Sequence, residues 1–225
     1  PFAEQSPGGR YLNKAISAHK ELFSKTKFEW IDPYDTTIGV GSSSAQFLLS
    51  VAAVAKLQGF ELPTGQEVLD LYWETVGTSQ GIRPSGIDVI AQWLGGPVVV
   101  RNQPVRTQVL PSWKTGSTFL LAYTGHKAKT HEHLRDLSEK DFPEKFRTVL
   151  NELNELTLKG IEAWQSSDTR MLGETLNAYQ TVLTHGGLAP IDFTQRLREV
   201  QSWPGVLGCK GSGAQGGDCV LLLIE

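Results

Sequence analysis

Cysteine is scarce in this chain of 225 residues: Cys209 and Cys219 are the only two. Two thiols so close together make no disulfide framework, and a chain of this length buries enough apolar surface to fold without staples. A reduced, cytoplasmic setting is therefore expected. An excess of one charge is lacking as well. Twenty-one Lys and Arg stand against 24 Asp and Glu, for a net charge of −3, which offers no electrostatic footprint for duplex nucleic acid or an anionic membrane. Neither is an expected partner. The longest apolar run, residues 47–55, is interrupted by Ser50 and falls far short of the roughly 20 residues that span a bilayer. The opening Pro-Phe-Ala-Glu-Gln has neither an initiating Met nor the basic-then-apolar form of a secretory signal, so the sequence is expected to be a fragment or to have lost segments. Low-complexity stretches and internal repeats are not evident. With 40% hydrophobic and 20% charged residues, the chain reads as globular, in one large domain or two small ones.

What is present is a mixture of periodicities. Leu12, Ile16, His19 and Phe23 recur at helical steps, predicting a helix over 10–24. Residues 28–31 alternate like a short strand. A strongly apolar segment reads as helix from the small residues at 41–45 to about Gln58, and Thr64 with Glu67 forms a capping-box pattern that opens a helix ending near Gly77. A short helix should follow to Leu94, stopped by Gly95 and Gly96. Strands are predicted at 97–101 and 117–123, with an edge strand or linker at 104–112. The later half carries helices over 142–165, 172–183 and 191–200, then strands at 206–210 and 219–224. Without regular strand–helix alternation, the fold class is α+β with antiparallel sheets.

Three separated stretches concentrate glycine, small hydroxyl residues and one carboxylate: 39–45, 84–96 and 210–219. In the first, Gly39 and Gly41 let the backbone turn its N–H groups toward a ligand, and the following helix adds the positive end of its dipole. Ser42, Ser43 and Ser44 can donate to phosphate oxygens or ligate Mg²⁺. A flexible turn with a serine helix cap fits the same residues equally well. No Gly-Lys-Ser/Thr follows, so this is not the common P-loop.

Read together, the three stretches resemble the GHMP small-molecule kinases, the superfamily of galactokinase, homoserine kinase, mevalonate kinase and phosphomevalonate kinase. Thr37-Ile-Gly-Val-Gly-Ser-Ser-Ser-Ala45 is similar to that family's Gly-Leu-Gly-Ser-Ser-Ala signature. Pro84-Ser-Gly-Ile-Asp-Val-Ile-Ala-Gln-Trp-Leu-Gly-Gly96 resembles the Pro-Ser-Gly-x-Asp segment of the mevalonate kinase branch, which implies that Asp88 is the catalytic base and Ser85 a substrate contact. Lys210-Gly-Ser-Gly-Ala-Gln-Gly-Gly-Asp-Cys219 is similar to the C-terminal glycine loop, which implies that Gly213, Ala214, Gly216 and Gly217 lie against nucleotide phosphates. Gln215 and Asp218 depart from that pattern. The segment 120–130 resembles a strand and loop of the same enzymes, making Thr130 and Lys127 candidate substrate contacts, with Lys129 beside them.

The resemblance further implies ATP and Mg²⁺ as cofactors, with Ser43 and Glu74 as candidate metal ligands. Glu74 reads more readily as an exposed helical carboxylate. His126, His131 and His133 invite a metal reading for which no further ligand set is spaced. The family's first motif, an N-terminal strand ending near Gly-Glu, is not found; Pro7-Gly-Gly-Arg10 is only superficially like it, and the N-terminal strands are expected to be missing. The implied architecture is a two-domain GHMP kinase fold, with a partial N-terminal domain over 1–112 and a C-terminal domain over 113–225. The expected activity is transfer of the γ-phosphoryl group of ATP to a small anionic acceptor such as mevalonate or phosphomevalonate, by a monomer or homodimer. The alternative is a catalytically weak nucleotide- or metabolite-binding protein on the same scaffold. A related diphosphate-dependent decarboxylase fits the 84–88 segment less well.

Overall fold

The computed structural model describes residues 4–31, 41–77, 84–102, 105–125, 144–189, 191–212 and 219–225. They fall into two compact units, one reaching Leu110 and the other beginning at Pro111.

The first unit is built on a buried apolar helix. α3 (Ser42–Gln58) carries Phe47, Leu48 and Val51 into a core shared with Val68 and Val89. Those two valines come from α4 (Gly65–Val76) and α5 (Ile87–Leu94). Aromatic rings close this core edge-on, Tyr11 at 5.7 Å and Tyr72 at 5.3 Å from Phe47. α1 (Pro7–Ala18) starts earlier than its apolar spacing suggests, because Ser6 accepts from the Gly9 N–H at 3.1 Å and Pro7 suits the first helical position. It breaks at His19 before the single turn of α2 (Lys20–Phe23). A hairpin of β1 (Val98–Asn102) and β2 (Val105–Val109) completes the unit, with Val98 opposite Val109.

The strand expected at 28–31 does not form. None of the described strands pairs with that segment, and Phe28 is drawn instead into the cluster of Leu12, Phe23 and Val54, its ring 5.9 Å from Phe23. Alternation alone cannot make a strand without a partner for its backbone groups.

The second unit is a three-stranded antiparallel sheet in the order β3-β5-β4, from β3 (Thr118–Tyr123), β4 (Val206–Ser212) and β5 (Cys219–Ile224). Alternation along β5 sends Leu223 to one face and Leu222 to the other. Leu223 meets Ala163 of α6 (Glu144–Ser166) and Leu172 of α7 (Thr169–His185). Leu222 meets Leu197 of α8 (Ile191–Gln201). Helices thus cover both faces. Cys209 and Cys219 are buried thiols, and burial pushes the Cys209 thiol up to about 11.

The edge strand β4 is held by polar side chains of α7. Gly173, Asn177, Gln180 and Thr184 recur at spacings of four, three and four, a single face of the helix. Gly173 lets the helix approach so closely that a Cβ there would sit 2.4 Å from the Leu207 carbonyl oxygen. Farther along, Asn177 accepts from the Cys209 N–H and Gln180 from the Gly211 N–H, each at 2.9 Å. These bonds occupy donors that a bare sheet edge would expose.

Gly173→Ala should lower the unfolding free energy by about 1–3 kcal/mol, because backbone must move to admit the methyl group. Gly160→Ala is the control, since its Cβ would meet Thr175 Cγ2 at an ordinary 3.6 Å. It should stabilise by about 0.5–1 kcal/mol through helix propensity. Denaturant unfolding of the two variants checks the pair, and equal effects would contradict this packing.

Candidate active site

Two helices in the first unit begin in the same unusual way. α3 starts from Gly41 at φ +82° and α5 from Gly86 at φ +68°, and neither has a side chain capping its first turn. By contrast α1, α4 and α7 are capped by the side chains of Ser6, Thr64 and Asp168. Left-handed backbone of this kind is readily taken only by glycine. A helix started this way keeps its first N–H groups for an outside acceptor, with the positive end of the dipole behind them.

The two starts are joined side chain to side chain. Ser44, in the first turn of α3 and 4% exposed, donates its hydroxyl to the Asp88 carboxylate, at the second position of α5. Asp88 itself is exposed, so the bond orients a carboxylate that solvent and ligands can still reach. Gln92, one turn further along α5, donates to the Gly41 carbonyl at 3.3 Å. Tyr72 lies near this group: burial chiefly, and the negative charge of Asp88 secondarily, push its phenol up, so it remains a neutral hydroxyl.

Of the residues expected from sequence, Gly41, Ser42, Ser43, Ser44 and Asp88 are thus gathered at one place, with Ser42 half-buried and Ser43 exposed. Ser85 lies just before Gly86, its hydroxyl 3.5 Å from the Ile87 N–H. Glu74 is not brought to the group. Two positions beyond Tyr72, it projects from another side of α4 and pairs with Lys14 of α1 at 3.8 Å. Gly39, Lys127, Lys129, Thr130, the histidines at 126, 131 and 133, and Gly213, Ala214, Gly216 and Gly217 lie outside the described residues. Among the described residues, no three His, Cys, Asp or Glu side chains cluster as a metal site.

Sequence reading missed Gln92, Trp73 and Tyr72, and also an internal echo. Pro63-Thr-Gly-Gln-Glu-Val-Leu69 and Pro84-Ser-Gly-Ile-Asp-Val-Ile90 repeat one pattern of proline, hydroxyl, glycine, acid, valine and aliphatic residue. In the first copy Glu67 closes a capping box, accepting from the Thr64 N–H at 2.7 Å. In the second the helix starts later, and the matching acid, Asp88, is turned outward to Ser44.

No family model matches the chain. Its sequence is 29% identical to the mevalonate kinase of Thermococcus sibiricus over 226 residues, covering 95% of this chain and 65% of that protein. Among solved structures, the mevalonate kinase of Methanococcus jannaschii superposes with a TM-score of 0.73 at 16% identity, covering all of this chain and 69% of the other. The phosphomevalonate kinase of Streptococcus pneumoniae superposes at 0.72 with 15% identity, over 96% of this chain and 74% of the other. The chain spans slightly under two thirds of the curated relative's length. The chain is thus similar in sequence to a mevalonate kinase, and it has the fold of the solved mevalonate and phosphomevalonate kinases.

Proposed function

We propose that the protein carrying this chain is an ATP-dependent small-molecule kinase, passing the γ-phosphoryl group to a hydroxyl of a small anionic acceptor of the mevalonate or phosphomevalonate class. The Ser44–Asp88 hydrogen bond between two uncapped helix starts is the observation that supports this reading most directly.

The residues divide the work as follows. The open N–H groups at the start of α3, with the hydroxyls of Ser42 and Ser43, suit phosphate oxygens. Those hydroxyls are also hard oxygen donors of the kind Mg²⁺ takes alongside phosphate and water. Bound there, the ion would neutralise charge on the phosphates. Asp88 accepts the proton as the acceptor's O–H bond breaks, and the acceptor oxygen forms a bond to the γ-phosphorus while the bridging oxygen leaves with ADP. Ser44 holds the carboxylate in one orientation throughout. With a phosphorylated acceptor no base is needed, and Asp88 then serves to orient it. Ser85, Lys127 and Thr130 are proposed on the acceptor side, and Gly213, Ala214, Gly216 and Gly217 on the nucleotide side. Gln215 and Asp218, where the glycine stretch departs from the family pattern, favour the second reading of nucleotide binding without efficient turnover.

Asp88→Asn should lower acceptor-dependent ADP release by about 10²–10⁴-fold, the usual worth of a general base, and leave ATP affinity nearly unchanged. Ser44→Ala removes only the orienting bond and should cost about tenfold. Coupled ADP-release assays with mevalonate, phosphomevalonate, homoserine and sugars, beside calorimetric ATP titration, check both. Near-normal turnover in Asp88→Asn rules out the base role. Wild-type ATP binding with no acceptor-dependent release selects the second reading.

A further inference from the structure

α4 and α5 grip each other reciprocally. The Trp73 indole N–H, near the end of α4, donates to the Pro84 carbonyl at 2.9 Å, just outside the start of α5. The Trp93 indole N–H, near the end of α5, donates to the Pro63 carbonyl at 3.1 Å, just outside the start of α4. Packing repeats the exchange. Gly86 sits against Leu69, so that a Cβ there would meet its Cδ1 at 2.4 Å, and Gly65 sits against Ile90, at 2.9 Å. Val68 and Val89, matched positions in the echoed pattern, are both fully buried.

The two ends of this clamp differ in what they hold. At the Pro63 end, Glu67 is engaged by its own helix, and the Thr64 N–H and hydroxyl keep its carboxyl below the ordinary glutamate range. At the Pro84 end, the left-handed Gly86 delays the helix and turns Asp88 toward Ser44. The path of the chain into Gly86 is therefore what aims Asp88. Trp73 fixes that path through the carbonyl two residues upstream.

We propose that Trp73 is a positioning residue for Asp88, acting through the Pro84 carbonyl, and that Trp93 is its structural counterpart at the end of the pair that carries no site residue. The effect on turnover rests on the kinase reading above; the effect on the Asp88 carboxylate does not. Trp73→Phe keeps an aromatic ring at the position while the N–H is lost, and Trp93→Phe removes an equivalent bond from the same helix pair.

The test compares the full chain with W73F and W93F by thermal unfolding, by the carboxyl ¹³C signal of Asp88, and by kcat and KM with ATP. Both variants should unfold at similarly lowered temperatures. Only W73F should move the Asp88 signal and reduce kcat, by about tenfold, with the KM for ATP within about twofold. Should W73F fold too poorly, β-(3-benzothienyl)alanine at position 73 keeps the ring's shape and replaces the N–H by sulfur, with the same result expected. An Asp88 signal left in place by loss of the Trp73 N–H overturns the proposal, as does one moved equally by W93F. An Asp88 signal moved by W73F and not by W93F, with no turnover from the wild-type chain, sustains the clamp and sinks the kinase reading.

Discussion

A helix that begins on a left-handed glycine has no side chain to satisfy its first amides, and in this protein two such helices start side by side. The rest of the candidate site follows from that constraint. Gly41 and Gly86 cannot cap α3 and α5 with a side chain, and at α5 the Ile87 N–H has only the long contact to Ser85 at 3.5 Å, whereas α1, α4 and α7 are capped by Ser6, Thr64 and Asp168. The Ser44–Asp88 bond then ties one start to the other. Burying Phe47, Val68 and Val89 in a common core holds the three helices that make this possible. Packing, capping and electrostatics thus meet in a few residues.

The second unit solves a different problem. Its three-stranded sheet has helices on both faces, and β4 is one of its two edge strands among the described residues. Asn177 and Gln180 occupy its amides there, with Gln180 only 3% exposed. Side chains three apart lie on one face of α7, and alternate amides of β4 point to the same edge, so Asn177 and Gln180 serve Cys209 and Gly211. Ser212, the last residue of β4, precedes the glycine-rich stretch proposed for the nucleotide side.

Much of this was legible in the sequence where local chemistry decides. The Thr64–Glu67 capping box, the glycine stop after Gln58 and the apolar run of β5 each stand close to the residues that cause them. Ser42, Ser43, Ser44 and Asp88 were legible as motifs, and the helix starts bring them together. What sequence could not give was partnership. Residues 28–31 alternate like a strand yet lack a described neighbour. Asn177 and Gln180 looked like ordinary polar positions on a helix, because the edge they serve is far along the chain. The donor role of Trp73 and Trp93 depends on prolines in another segment, beyond the reach of local pattern. Glu74 had plausible chemistry on the wrong side of its helix, where Lys14 meets it.

The central claim is that the uncapped start of α3 and the oriented Asp88 form one phosphate-handling site. A crystal structure of the protein with a non-hydrolysable ATP analogue addresses it most directly. The account predicts phosphate oxygens within hydrogen-bonding distance of the backbone amides at Ser42–Ser44, with the Asp88 carboxylate facing the terminal phosphate. Phosphates bound elsewhere, with those amides turned to solvent, would contradict it.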